Sequence, residues 1–287
     1  MRVRRGQRGE VPVPMDGSGD RAGDRGDEPA RLVVVGCGTV VPEGDRGGSS
    51  FYLEMDGARV LLDCGPGAVQ SMVRHGVPWS GLTDLVLTHF HTDHVGAVPG
   101  LFFSLRHGIA PGERDAPLDV WGPPGTRRLF ERLAVALGEY LTDPGFPLRV
   151  REIPPGQATE LRSGIRLSTH KTSHTPESQA VRLDGTAAVG YTGDTGPCET
   201  LGAFLRAVRL LVCECSLADR EVGENHLSPA RVAGIAAEAV PERLLLTHIY
   251  PELRRAGDVA ALVRDAGYEG EVLVAHDGLE LSLPPRR

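Results

Sequence analysis

Long apolar runs are missing from this sequence. No segment approaches eighteen uninterrupted apolar residues, so no membrane-crossing helix is expected, and nothing near the amino terminus has the apolar core of a signal peptide. A cytoplasmic protein with no membrane partner follows as the expectation. Cysteine is scarce: Cys37, Cys64, Cys198, Cys213 and Cys215 are an odd number without a regular framework, which excludes a disulfide scaffold and suits reduced thiols. Cys213 and Cys215 are separated by one residue, a poor match to the spacing of structural zinc sites. Excess positive charge is also absent. The formal net charge of -7 argues against a surface that coats nucleic acid generally, while leaving room for a local basic patch.

What remains is the composition of a globular chain, with 40% hydrophobic and 24% charged residues over 287 positions, enough to bury a core. Residues 1–30 are rich in Arg, Gly, Asp and Pro without apolar periodicity and read as a disordered tail, opening with Arg2, Arg4, Arg5 and Arg8. A single domain is expected over 31–287. From Arg31 short apolar runs alternate with glycine-rich turns, predicting strands at 32–35, 51–55, 60–62 and 85–87, with Asp56-Gly57 as a hairpin turn. Helices are predicted around 66–75, 98–107, 124–139, 199–207, 228–240 and 256–266, and strands near 118–121, 165–170, 179–183, 186–192, 209–213, 243–247 and 271–274. The segment 108–160, rich in Pro, Gly and charge, reads as loops around one helix. Two halves of strands followed by helices suit an α/β fold of two sheets packed face to face with helices outside.

The densest chemistry lies in Thr88-His89-Phe90-His91-Thr92-Asp93-His94, directly after the apolar run Leu85-Val86-Leu87. Isolated histidines are commonly core or surface residues, but unpaired polar groups are costly to bury, and this many ligand-type side chains together point to metal. In an extended chain alternate side chains share a face, so His89 and His91 can converge on one ion while Asp93 and His94 turn toward a second. Nitrogen and carboxylate donors favour zinc, with manganese or iron as alternatives. Single candidates at the ends of later strand-like runs extend the set. They are His174, with His170 as a competitor; Asp194, a carboxylate able to bridge two cations; and His248. Asp63 follows Val60-Leu61-Leu62 and taken alone is equally a turn residue. Gly36-Cys37-Gly38-Thr39 lacks the full pattern of a dinucleotide or Walker loop. His75, His107 and His276 have no such context.

These motifs resemble the metallo-β-lactamase superfamily, and within it the ribonuclease Z-like phosphodiesterase branch. The resemblance covers about residues 31–280 and rests on His89, His91, Asp93 and His94 with the following Val95-Gly96-Ala97-Val98-Pro99-Gly100-Leu101, on Gly193-Asp194-Thr195, on Glu214, and on His226-Leu227-Ser228 opening a helix. It implies a four-layer αββα sandwich with two divalent metal ions at one edge. His89, His91 and His174 would hold the first ion, Asp93, His94 and His248 the second, with Asp194 bridging and Asp63 orienting ligands from behind.

Two divalent ions lower the pKa of a bridging water and neutralise charge on the attacked group, which suits a phosphodiester. Asp93, Glu214 and His226 are the residues expected to serve catalysis, with Glu214 fixing the tautomer of His226 and His226 serving the leaving oxygen. The simpler reading of His226 is that it only precedes a helix capped by Ser228 with Pro229 in its first turn. The resemblance brings an expected RNA-end substrate. The branch's tRNA-processing members carry a protruding arm between the positions of His174 and Asp194, where nineteen residues leave room for a hairpin only, so small or cyclic phosphodiesters are expected ahead of tRNA. A homodimer is implied by the family alone. Hydrolysis of a sulfate ester, lactone or thioester in the same fold is the alternative, and a non-catalytic metal-binding protein a remoter one.

Overall fold

Asp56 and Gly57 both take positive φ, 50° and 77°, closing the tight turn their sequence predicts. Around that hairpin a computed structural model of the protein describes residues 28–110 and 113–285. The tail expected over 1–30 lies, up to residue 27, outside the described residues. The first half runs β1 (Ala30–Gly36), β2 (Ser50–Met55), β3 (Ala58–Leu62), α1 (Ala68–Arg74), β4 (Asp84–Val86), α2 (Thr92–Val95), α3 (Val98–His107), β5 (Leu118–Gly122), α4 (Thr126–Leu137) and β6 (Leu148–Glu152). The second runs β7 (Ala158–Glu160), β8 (Arg166–Lys171), β9 (Gln179–Asp184), β10 (Ala188–Tyr191), α5 (Leu201–Phe204), β11 (Leu210–Glu214), α6 (Pro229–Ala239), β12 (Arg243–Thr247), α7 (Pro251–Ala256), α8 (Val259–Asp265) and β13 (Glu271–Val274). The last strand, β14 (Glu280–Leu283), returns to pair antiparallel with β1.

Two seven-stranded sheets result, ordered β14-β1-β2-β3-β4-β5-β6 and β13-β12-β11-β10-β9-β8-β7. Side-chain alternation along the strands sets the layers. Leu32, Val34, Phe51 and Leu53 of the first sheet meet Leu183, Val189, Val212 and Leu245 of the second in one apolar core. On the far side of the first sheet Val33 and Val35 join Met72 of α1, Leu101 of α3 and Phe130 of α4. On the far side of the second, Leu211, Leu244 and Leu246 join Val232 of α6 and Val263 of α8. The architecture is a four-layer αββα sandwich. Cys213 and Cys215 are buried in that last apolar layer and belong to none of the ligand clusters described below.

The sequence pattern misses three strands and two short helices. β6 and β7 lie in the segment read as loops because both are edge strands, and β6 places arginines and a glutamate where a central strand would be apolar. In β14 only Leu281 and Leu283 are buried, too little alternation to register. The helices α2 and α7 span four and six residues, below the reach of a helical period.

Strands β3 to β6 run parallel, as do β10 to β13, so their carboxyl ends gather at one edge of the sandwich. Open parallel sheets place ligands at such an edge. Phe51 is fully buried and its ring centroid lies 5.1 Å from that of Tyr191 across the sheet interface. Phe51→Ala is expected to cost about 3–5 kcal/mol of stability in urea unfolding. A loss below about 1 kcal/mol would show that this contact does not hold the sheets together.

Candidate metal centre

The loop after β4 turns sharply. His91 stays extended and α2 begins at Thr92, so Asp93 and His94 project from a single helical turn rather than from a continued strand. The backbone N–H of Cys64 donates to the His94 carbonyl at 2.7 Å, pinning that turn against the end of β3. Gly65 permits the approach, since a Cβ there would stand 2.2 Å from the Asp93 carbonyl oxygen. Gly193 acts similarly for the second half: its φ is +56°, and a Cβ would meet the Thr88 side chain at 2.8 Å.

Asp63 is buried, and its carboxylate accepts four hydrogen bonds. They come from the Thr88 N–H (2.8 Å), the Thr88 hydroxyl (2.8 Å), His94 Nδ1 (2.8 Å) and the Tyr191 hydroxyl (2.9 Å). His94 must therefore carry its proton on Nδ1, because a carboxylate only accepts. The Thr88 hydroxyl spends its proton on Asp63 and accepts from His89 Nδ1 at 3.0 Å. His174 Nδ1 donates to the Asn225 carbonyl at 2.8 Å. Ser216 Oγ donates to Glu214 at 2.6 Å and accepts from His248 Nδ1 at 3.1 Å. Four imidazoles are thus fixed in the tautomer that leaves Nε2 with a free lone pair, the form in which histidine binds metal.

Those lone pairs converge. His174 Nε2 faces His91 Nδ1 at 2.9 Å, and Asp194 Oδ2 lies 3.7 Å from His174 Nε2 and 3.9 Å from His89 Nε2. On the other side of Asp194, His94 Nε2 is 3.2 Å from Oδ1 and His248 Nε2 is 3.5 Å from Oδ2, with Asp93 Oδ2 3.3 Å from the same His248 nitrogen. Two ligand groups result, His89/His91/His174/Asp194 and Asp93/His94/His248/Asp194, with Asp194 common to both. Buried atoms without a hydrogen-bond partner are expensive, yet His89 Nε2, His94 Nε2 and Asp194 Oδ1 are all of that kind. A pair of divalent cations fits this donor set, since it would satisfy the three atoms together.

Glu214, His226 and His248 form a third cluster, which the hydrogen bonds already account for. The fully buried Glu214 carboxylate accepts from the Thr195 N–H (2.6 Å), Ser216 Oγ (2.6 Å), the Leu227 N–H (3.1 Å) and His226 Nδ1 (3.1 Å). His226 stands between His174 and His248, with ring centroids 4.9 and 5.6 Å away. Ser228 does cap α6, and Pro229 does open it, so the capping and the Glu214 contact coexist. Beside Asp93 a cavity of about 440 Å³ opens between the 39–48 loop and α1, lined by Glu43, Arg46, Gln70 and Arg74 among others.

Electrostatics agree with the donor set. Burial, then His94, holds His89 far below the usual imidazole pKa, and burial also lowers His174, so both are neutral. Burial works against charge on Asp194, but His248 and His94 outweigh it and hold the carboxylate well below its usual range. Burial likewise opposes a proton on His94, and Asp194 and Asp63 overcome it, so His94 sits well above the usual imidazole value. The second proton sits on Nε2 facing Asp194, and a cation bound there would take its place.

A model of the beta-lactamase superfamily domain matches residues 58–249, two thirds of the sequence and the whole of this centre. The chain belongs to the metallo-β-lactamase superfamily, in its ribonuclease Z-like branch. A curated relative, ribonuclease Z of Haloferax volcanii, is 29% identical, with 88% of this chain and 95% of that protein covered. Among solved structures, the metallo-β-lactamase fold protein YhfI from Bacillus subtilis superposes with a TM-score of 0.75 at 24% identity, covering 89% of this chain and 100% of that one. The short form of human tRNase Z gives 0.72 at 21%, covering 88% and 99%. This member of the superfamily is accordingly a metal-dependent hydrolase. Between His174 and Asp194 it forms only the hairpin of β9 and β10. The expectation against tRNA finds no support in these relatives, several of which bear the name ribonuclease Z.

Every residue singled out for the site in the sequence reaches this edge. His170 does not: its Nε2 meets Thr200 Oγ1 at 2.9 Å and its ring stacks on Phe204. Thr88, Ser216 and Tyr191 were invisible as site residues because each acts through a hydrogen bond to a partner distant in the sequence or otherwise unremarkable. So was Lys171, the only lysine in the sequence. Its ammonium donates to the carbonyls of Thr172 (2.8 Å), Thr175 (2.6 Å) and Ser178 (3.1 Å), closing the loop that carries His174. Three carbonyls around one point suit a compact ammonium rather than a planar guanidinium.

Asp194→Ala is expected to leave the protein with little or none of its bound metal by elemental analysis; a variant that keeps two ions per chain counts against a bridging carboxylate. Asp63→Asn, which keeps the shape but alters the acceptor behind His94 and Thr88, is expected to weaken metal affinity by roughly 10–100-fold in a chelator competition. Unchanged affinity would mean that Asp63 does not set the ligand orientation.

Proposed function

We propose that this hydrolase is a phosphodiesterase that works with two divalent cations, zinc before manganese or iron, on RNA ends or small phosphodiesters. His89, His91 and His174 hold one cation, Asp93, His94 and His248 the other, and Asp194 bridges. When bound, the pair lowers the pKa of water and neutralises charge on the attacked phosphate. The observation that carries the reading is His226, held by a buried Glu214 through Nδ1 and leaving Nε2 without a protein partner among the described residues, next to both ligand groups.

That arrangement answers the need of an alkoxide leaving group. Burial opposes charge on the His226 ring, but the hydrogen bond and charge of Glu214, then Asp194 and Asp93, outweigh it and raise its pKa. A proton held at Nε2 can pass to the departing oxygen, while the ring, fixed by Glu214, pays little orientational entropy. The cavity beside Asp93 offers room for the remainder of the substrate. The relatives' name, ribonuclease Z, supports RNA ends; the short hairpin between His174 and Asp194 favours keeping small phosphodiesters in the comparison.

The test measures bound metal, then turnover of bis(p-nitrophenyl) phosphate, a 2′,3′-cyclic nucleotide, a precursor tRNA and an acyl thioester. Phosphodiesters are expected to react fastest and to be lost on chelation. His226→Ala is expected to lower kcat by roughly 10²–10⁴-fold while retaining metal. A thioester that turns over fastest, together with a harmless His226→Ala, would overturn the assignment.

A further inference from the structure

We infer that the outer edge of the first sheet, formed by β6 and the start of α4, is a docking surface for the phosphate backbone of RNA. This rests on the phosphodiesterase reading and adds to it a place where a long substrate is held. Asp119 of β5 is buried, and three guanidiniums converge on its one carboxylate: Arg162 at 2.8 Å, Arg151 at 3.4 Å and Arg149 at 4.0 Å. Their side chains are 45%, 49% and 47% exposed, so one negative charge below the surface faces three positive charges on it. Asp84 of β4 is the other acid that Arg162 faces, so the three guanidiniums still outnumber the acids beneath them.

Register explains the ridge. Asp119 pairs with Arg149 and Trp121 with Arg151, so both arginines rise from the same face of β6. The Arg151 guanidinium lies over the Trp121 ring, 5.2 Å from its centroid, which holds the charged plane in place. Arg127, in the first turn of α4 on the opposite face of the sheet, reaches back to the same edge at the Val150 carbonyl, 3.1 Å away. The exposed Arg128 follows it. Glu152, the acid of β6 itself, has its Oε1 engaged by the N–H groups of Gly125 and Arg127.

Charged side chains also guard open edge strands against pairing, and that need alone would be met by either sign. Here β6 exposes two arginines and one acid, Glu152, whose Oε1 is taken up by backbone N–H groups, in a chain with net charge -7, and further arginines stand on a helix that has no edge to guard. The start of α4 lies against the loop that carries the metal centre. A Cβ on Gly125, at the start of α4, would stand 3.2 Å from the ring of Phe90, the residue between His89 and His91. Guanidinium groups spaced along an edge match phosphates spaced along a strand, and their affinity comes largely from released counterions.

The experiment compares wild type with Arg127→Gln/Arg128→Gln/Arg149→Gln. Arg151 and Arg162 stay in place, so Asp119 keeps its two nearer partners. Binding of a fluorescent single-stranded oligoribonucleotide is followed between about 50 and 200 mM salt, independently of turnover. The expected result is weaker binding, with the slope of log affinity against log salt reduced by about 2, at about 0.7 per lost phosphate contact. Turnover of bis(p-nitrophenyl) phosphate and metal content are expected to be unchanged. Equal affinity and slope in a variant with unaltered thermal unfolding would overturn the surface. Loss of binding to anionic lipid vesicles without loss of RNA affinity would overturn it as well. A wild type that cleaves no phosphodiester would instead sink the proposed function, a failure visible in the turnover arm alone.

Discussion

Asp63 ties the centre to both sheets. Its carboxylate sits at the end of β3 with a φ of +55°, a conformation that costs a non-glycine residue energy, and it is wholly removed from water. The four hydrogen bonds it accepts compensate, each to a charged acceptor in a region of low dielectric and so worth roughly 1.5–3 kcal/mol. Through them it fixes the end of β4, the tautomers of His94 and His89, and, through Tyr191, the end of β10 in the other sheet. Were this carboxylate displaced, the two halves of the ligand set would lose their common reference.

The second half repeats the device with different residues. Glu214, at the end of β11, accepts from backbone on two sides and from Ser216, which in turn receives His248 Nδ1. One carboxylate thereby orients a candidate metal ligand and also His226. Each sheet thus supplies a buried acid at the end of a parallel strand, and the strand order brings both to the same edge. The cost of burying these acids is met by neighbours that must be present for the centre to form. Such a network is rigid when complete, and its unpaired Nε2 and Oδ1 atoms are the part left for a ligand to complete.

The sequence disclosed much of this because the relevant signals are local. The run from His89 to His94 needs no alignment to suggest metal, and Asp194, His248 and Glu214 each terminate a strong apolar strand. The central strands were legible for the same reason: each is a continuous apolar run. What stayed hidden depends on distant parts of the chain. Thr88 and Tyr191 matter only because Asp63 lies between them, and Lys171 only because three carbonyls of its own loop turn inward. Strand β6 was missed because its arginines are explained by Asp119 on a neighbouring strand, a pairing that a linear pattern cannot display.

Charge is distributed in this chain according to what each place must do. The interior centre concentrates acids and imidazoles, an environment that attracts cations and would repel a polyanion left without them. A phosphodiester approaching that centre therefore needs its charge countered twice, at the reacting phosphate and along the rest of its backbone. Bound metal ions would answer the first need, and Arg46 and Arg74, which line the cavity beside Asp93, are positive groups available to the second. Arginines at the outer edge of the first sheet, beside an α4 whose start touches Phe90, would add to them. The overall charge of -7 is thus compatible with a nucleic-acid substrate, since recognition depends on where the positive charges stand rather than on their sum.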